Sequence, residues 1–290
     1  MNTTDLPRTS TPETDSPDAS SGSAGPSDVV FALCARELLR FFRQRNRVIG
    51  ALGQPLLFWG LFAAGFGPSF GNANPSLGAG QTYGEFFFPG TVVLIVLFTA
   101  IFATISIIED RREGFLQSVL VAPIPRWSMV FGKLLGGTLI ALAQALVFLL
   151  LGMCIGLRFH PVALVFLFVL SLALTGLGFV IAWRMDSTQG FHAIMSVFLL
   201  PMWLLSGAFF PQNSGWLSWI ARVNPLSYGV AGLRHLLIWE HMQTDIVGFH
   251  PGAPESPSLA VCWLVTVAFA ALMFGLSCKM AGYRTTGDLL

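Results

Sequence analysis

Charge is what this sequence has least of. Only 11% of its 290 residues are Asp, Glu, Lys or Arg, against 54% that are hydrophobic, whereas soluble domains carry roughly 25% charged residues. Together with a mean hydropathy of +0.68, that balance is the composition of a polytopic membrane protein. The net charge of +1 comes from Lys and Arg spread along the chain rather than gathered on one soluble face, which argues against nucleic acid as a partner. Cysteine is scarce as well. Cys34, Cys154, Cys262 and Cys278 show neither CxxC nor Cys/His spacing, so they read as small packing residues rather than metal ligands or a redox pair.

Enzyme signatures are also missing. There is no HExxH and no pair of intramembrane aspartates, so metal-assisted hydrolysis lacks its residues. His160 falls at a turn and His192 at the start of an apolar run, each without a catalytic companion. An ion-coupled carrier needs titratable groups near the bilayer midplane. The apolar runs offer only Gln54, Gln144 and scattered Ser and Thr. No GxxxxGK[ST] occurs either, the nearest fragment being Gly132-Lys133-Leu134, so the chain binds no cofactor of its own and any ATP and Mg must sit in another polypeptide.

What is present begins at the N-terminus with residues 1–27, rich in Ser, Thr, Pro, Asp and Gly. Such a segment buries too little apolar surface to offset the entropy of ordering, so a disordered tail is expected. No basic n-region with an apolar h-region is seen there, so no cleaved signal peptide is expected. From 28 to 47 the spacing puts Val30, Phe31, Leu33, Cys34, Leu38, Phe41 and Phe42 on one helical side and Arg36, Arg40, Arg43, Arg45 and Arg47 mostly opposite. This predicts either an interfacial helix with its basic face on anionic lipid or an amphipathic helix of a soluble domain.

Six runs free of Asp, Glu, Lys and Arg follow, at about 48–66, 86–108, 134–157, 161–183, 191–210 and 258–278. At 1.5 Å per residue, ~20 residues cross the ~30 Å hydrocarbon layer. The expected fold is therefore an all-α membrane protein with six transmembrane helices and both termini on one side. If the termini are cytoplasmic, the inner segments hold 13 of the 16 basic residues and the outer ones only Arg158, Arg222 and Arg234, a firm positive-inside bias. Residues 283–290 would then be a cytoplasmic tail, and the chain a multi-pass protein of the plasma (inner) membrane.

Between the fifth and sixth runs, Trp216, Leu217, Trp219, Ile220 and Val223 form one short stripe. Asn224-Pro225 breaks it, and Leu226, Val230, Leu233 and Leu237 form a second. Neither spans a bilayer. They predict a short re-entrant helical pair on the outer side, with Trp216, Trp219, Tyr228 and Trp239 at interface depth, or else two surface-lying helices.

The densest charge lies in 109–133, EDRREGFLQSVLVAPIPRWSMVFGK. Glu109, Asp110, Arg111, Arg112 and Glu113 make a polar head at a membrane exit. Phe115, Leu116, Val119 and Leu120 then share a helical face, and Pro123 and Pro125 stop the helix. Such an element either seats in a groove on a soluble partner and passes on its movement, or caps two spans.

That stretch resembles the coupling segment of ABC-2 type transporter permeases, here as Arg112-Glu113-Gly114, Leu116 to Leu120, Ala122-Pro123-Ile124-Pro125-Arg126 and Gly132-Lys133. Phe86-Phe87-Phe88-Pro89-Gly90, Pro201 to Pro211 and Asn224-Pro225-Leu226-Ser227-Tyr228 are similar to the same family, over about 28–282. The family often has Thr after the glycine, where this chain has Phe115. The drug, lipo-oligosaccharide and nodulation-type exporters look nearest. The resemblance implies a subunit that exports a hydrophobic or amphiphilic cargo. Its partners would be two copies of a separate ABC ATPase subunit and a second permease copy or a paralogue. Glu109 to Arg126 would take the ATPase stroke, including Gly114, Phe115, Leu116, Leu120 and Pro123. The helix at 28–47 would brace that segment at the headgroups, in contact with membrane lipid, and 213–239 would guard the exit. A non-transporting structural protein or an intramembrane enzyme would share the composition but have no ATPase partner.

Overall fold

The computed structural model describes residues 25–43, 45–73, 83–154, 156–209, 216–239 and 257–282. The expected tails at 1–24 and 283–290 lie outside them, while Pro26 and Ser27 already belong to the first helix, α1 (Pro26–Arg43). Pro26 fits there because the first turn needs neither its missing N–H nor a free φ. Asp28 in that turn accepts from the Gly25 backbone N–H at 3.1 Å.

An all-α membrane protein follows. After α1 come α2 (Arg45–Ala73), α3 (Tyr83–Ala103), α4 (Ile105–Arg112), α5 (Phe115–Val121), α6 (Arg126–Cys154), α7 (Val162–Trp183) and α8 (Thr188–Trp203). The chain then runs through a π-helical turn (Leu204–Ala208), α9 (Trp216–Val223), α10 (Pro225–Leu236) and α11 (Leu259–Gly282). Among the described residues, five stretches are long and apolar enough to cross a membrane: Tyr83–Arg112, Arg126–Cys154, Val162–Trp183, Thr188–Ala208 and Leu259–Gly282. The first expected span falls in α2, whose apolar portion is described as Pro55–Gly67.

The third span begins earlier than expected, at Arg126 rather than near 134, and ends at Cys154. The charge at Lys133 does not interrupt this helix, because that side chain is paired with Glu37 and Asp110 inside the protein. One short ladder interrupts the helices: Leu157–Phe159 (β1) pairs antiparallel with Leu237–Trp239 (β2), Arg158 opposite Ile238. Leu237 therefore ends the second outer stripe as strand rather than helix.

The almost wholly buried α3 is the central helix, packed by α2, α6 and α7, while α11 lies on α7 and α10 with most of its surface exposed. Close contacts fix the centre. A Cβ on Gly90 would come within 2.7 Å of Ala208 Cβ and 2.9 Å of its carbonyl oxygen, and Trp203 Nε1 donates to the Gly90 carbonyl at 2.8 Å. The π-helical turn that makes this approach contains Gly207 at φ 77°, a left-handed conformation that glycine adopts freely.

The two ends differ in kind. At one, aromatic rings gather: Phe209 sits 4.9 Å from Phe62 and 5.5 Å from Phe87, and the Tyr83 hydroxyl donates to its carbonyl at 3.3 Å. The ladder and the α9–α10 pair lie at this aromatic end. The other, basic end collects α1, the α4–α6 turns, the α7–α8 turn and the last turn of α11, the segments that the charge bias had grouped together.

Candidate functional site

The basic end is built around one carboxylate. Asp110 is completely buried, and its oxygens accept from Arg36 at 2.7 and 3.0 Å, from Arg40 at 2.9 Å and from Lys133. Lys133, itself buried, also donates to Glu37 at 2.9 Å. Arg40 reaches on to Glu109 at 2.9 Å and Glu113 at 3.3 Å. Three cations thus face four carboxylates across α1, α4 and α6. Hydrogen bonding to Asp110, reinforced by that carboxylate's charge, holds Arg36 above the usual guanidinium value.

This arrangement corrects the expected orientation of α1. Its packing face is Leu33, Cys34, Glu37 and Phe41, laid against α6, where a Cβ on Gly136 would come within 2.7 Å of Glu37 Cβ. Arg36 and Arg40 turn towards the carboxylates of α4 instead of outwards to lipid, because an ion pair in a partly dry site is worth more than a solvated headgroup contact. Phe31, Leu39 and Phe42 are the exposed apolar side chains of α1. Arg43 is exposed, and the side chains of Arg45 and Arg47 lie outside those described.

The rest of 109–126 is tied down in the same way. Arg111 donates to the Trp183 carbonyl at 2.6 Å and to Asp186 at 3.2 Å, and Arg112 donates to the Asp186 carbonyl at 2.7 and 3.1 Å. Arg126 donates to the Ala281 carbonyl at 2.6 Å. Trp183 and Ala281 stand in the last turns of α7 and α11, where carbonyls lack intrahelical donors and the helix dipole favours a cation.

Gly114 makes the turn from α4 into α5 at φ 74°, a conformation that a side chain would strain. Phe115 lies beneath the Arg36 guanidinium, 3.8 Å from ring centre to Cζ. Leu116 is buried in the core, with Val119 and Leu120 packed partly against it. The apolar face of α5 is therefore turned to the chain's own helices, and a partner would meet the opposite side. Ala122, held extended by the following Pro123, ends α5. On the open side stand Arg112, Glu113, Ser118, Val121, Pro123, Pro125 and Trp127, Val121 at 86% exposure and Trp127 at 50%.

Glu37 is the site residue that the sequence reading passed over, while Lys133 was named only within Gly132-Lys133, without its ion pairs. Spacing carried a signal for the first. Glu37 lies four residues from both Leu33 and Phe41, on the packing stripe of α1, where an unpaired acid would be costly. At the aromatic end, Asn224 caps α10 by accepting from Leu226 N–H at 3.0 Å and donates to the Met202 carbonyl at 2.6 Å. Pro225 occupies the first turn of α10. Tyr228 donates to the Arg222 carbonyl at 2.8 Å, and Trp219 is largely exposed. The side chains of Trp216 and Trp239 are not among those described.

These elements, in this order, are matched by the family described as ABC-2 type transporter over residues 28–238. The chain belongs to that family. Among its relatives is the ycf38 protein of Cyanophora paradoxa, whose name designates a transport permease, 29% identical over 216 residues that cover 71% of this chain and 73% of the other. DrrB1 of Streptomyces coeruleorubidus, named a daunorubicin resistance ABC transporter permease protein, is 25% identical over 214 residues, covering 70% of this chain and 72% of DrrB1. YbhR of Escherichia coli strain K12, named for multidrug ABC transport, is 27% identical over 162 residues, covering 53% of this chain and 43% of YbhR. The ABC-2 chain described here is accordingly a membrane permease subunit of an ABC transporter.

Proposed function

We propose that this ABC-2 permease exports a hydrophobic or amphiphilic molecule, driven by ATP that a separate ATPase chain hydrolyses at the basic end. ATP and Mg belong to that partner, two copies of which would serve a pair of permease chains in the inner membrane, with both termini cytoplasmic. The observation that carries this reading is the open side of the α5–α6 turn. Val121, Pro123, Pro125 and Trp127 are presented there beside Arg112 and Glu113, on a base joined to α1, α7 and α11 by Arg36, Arg111, Arg112 and Arg126. A push on that turn would be passed to several helices at once rather than absorbed in a loop.

The relatives' names, multidrug and daunorubicin resistance, support a drug-like or lipid-like cargo. The test is retention of the ATPase in mild detergent and ATP-dependent daunorubicin uptake by inverted membrane vesicles. Val121→Glu with Trp127→Ala is expected to abolish both and leave the thermal stability of the permease unchanged, because neither side chain is buried. An ATPase that stays bound to this variant defeats the proposal.

A further inference from the structure

Arg234 is held differently from Arg36, Arg40 and Arg111 of the basic end. It stands in the last turn of α10, half-buried against α3 and the π-helical turn. Its Nη2 donates to the Gly207 carbonyl at 2.9 Å and, at the limit of bonding, to the Phe86 carbonyl at 3.5 Å. The Phe86 ring covers one face, 4.2 Å from ring centre to Cζ. Nε is buried with no acceptor, and Nη1 meets no hydrogen-bond partner among the described residues. No carboxylate pairs with it among the described residues, whereas Arg36, Arg40 and Arg111 each meet one.

A guanidinium held by carbonyl dipoles and a ring, without a counter-charge, gives up much of its hydration and recovers little of it. Desolvation lowers its pKa to about 10, which still leaves it a cation at neutral pH. Its planar fork suits a carboxylate or phosphate, which two of its donors can hold side by side. It is also one of only three basic residues, with Arg158 and Arg222, outside the segments assigned to the basic end, so a positive-inside bias does not account for it.

We propose that Arg234 is an anion-recognition site at the aromatic end, which takes the phosphate or carboxylate head of an amphiphile through Nη1. The head comes either from an anionic membrane lipid or from an anionic cargo. The site needs neither the ATPase nor ATP, so its failure and that of the export reading are separable.

Binding is measured on the purified chain in non-ionic detergent, with fluorescent phosphatidylglycerol against fluorescent phosphatidylcholine, and with dodecyl phosphate as competitor. The wild type is expected to favour phosphatidylglycerol by about tenfold, the scale of one charge-assisted hydrogen bond. Arg234→Gln should remove the preference, and Arg234→Lys should keep part of it. A lipid site holds phosphatidylglycerol against dodecyl phosphate. A cargo site yields to dodecyl phosphate and shows little lipid preference, again only with Arg234 present. Should Arg234→Gln not stay monodisperse, the wild type and Arg234→Lys decide the matter. Three results overturn the proposal. The wild type binds neither anion, or Arg43→Gln at the basic end costs as much as Arg234→Gln, which makes the attraction generic. In the third, Glu240→Gln with Asp245→Asn and Glu255→Gln creates an anion affinity that the wild type lacks, which makes one of those acids the internal counter-ion.

Discussion

The basic and aromatic ends solve the same problem, holding helix ends together, with different chemistry. At the basic end α1, α4 and α6 are joined by ion pairs among Arg36, Arg40, Glu37, Asp110 and Lys133, several of them buried. Such a cluster is satisfied in one geometry and costly in any other, so it acts as a lock. At the aromatic end Phe62, Phe87, Trp203 and Phe209 meet edge to face around the Gly90–Ala208 contact, an apolar packing with ring geometry of its own and no buried charge. The end that a partner would push is therefore joined by charge, and the end where cargo would leave is joined by apolar packing.

The largest expected effect tests the lock. Lys133→Met leaves Asp110 and Glu37 buried without their ammonium partner, and breaking a buried pair in this way costs about 3–5 kcal/mol. The variant should lose most of its monodisperse yield and melt far below the wild type in detergent. Adding Asp110→Asn, which removes the most buried of the charges, should restore part of the loss. A Lys133→Met protein that melts with the wild type would show that the cluster is ornamental and would erase the contrast between the two ends.

Much of this was legible in the sequence because period and hydropathy are local. The uncharged runs place α3, α6, α7, α8 and α11, the Pro123 and Pro125 stop ends α5, and Asn224-Pro225 divides the outer pair where α10 begins. The register of α1 was less legible. Its wheel has three sectors rather than two, and only tertiary contact with Gly132 and Gly136 of α6 decides which sector is buried. The true start of α6 was hidden for a related reason. A lysine reads as a membrane boundary until an acid from α1 and another from α4 are known to neutralise it. The β1–β2 ladder was out of reach, since its strands are three residues each and about eighty positions apart.

A second perturbation sharpens the comparison from the aromatic side. Gly90→Ala drives a methyl group against the backbone of Ala208, which cannot rotate aside as a side chain would, so overpacking of about 1–3 kcal/mol is expected. Stability should fall less than for Lys133→Met. Cargo transport should fall more than stability if the π-helical turn moves during export, and a normal transport rate at reduced stability would show that it does not. Asn224→Ala comes next, at about 1 kcal/mol for the lost cap, read as a modest drop in melting temperature. Its side chain also holds the Met202 carbonyl, so a loss well above that figure would mean that α9 and α10 depend on this one residue for their place beside α8.

The smallest effect is expected where neither end is touched. Gly60 in α2 is exposed, and a Cβ there would meet nothing within 4 Å. In an isolated helix, Gly→Ala is favourable by up to about 1 kcal/mol because alanine loses less backbone freedom. Gly60→Ala should therefore leave the melting temperature in detergent unchanged or raise it slightly. The opposite sign would mean that another surface closes over α2 in solution and needs the missing methyl, so that the contrast between an ion-paired end and an aromatic one would have to be drawn on a larger assembly than a single chain.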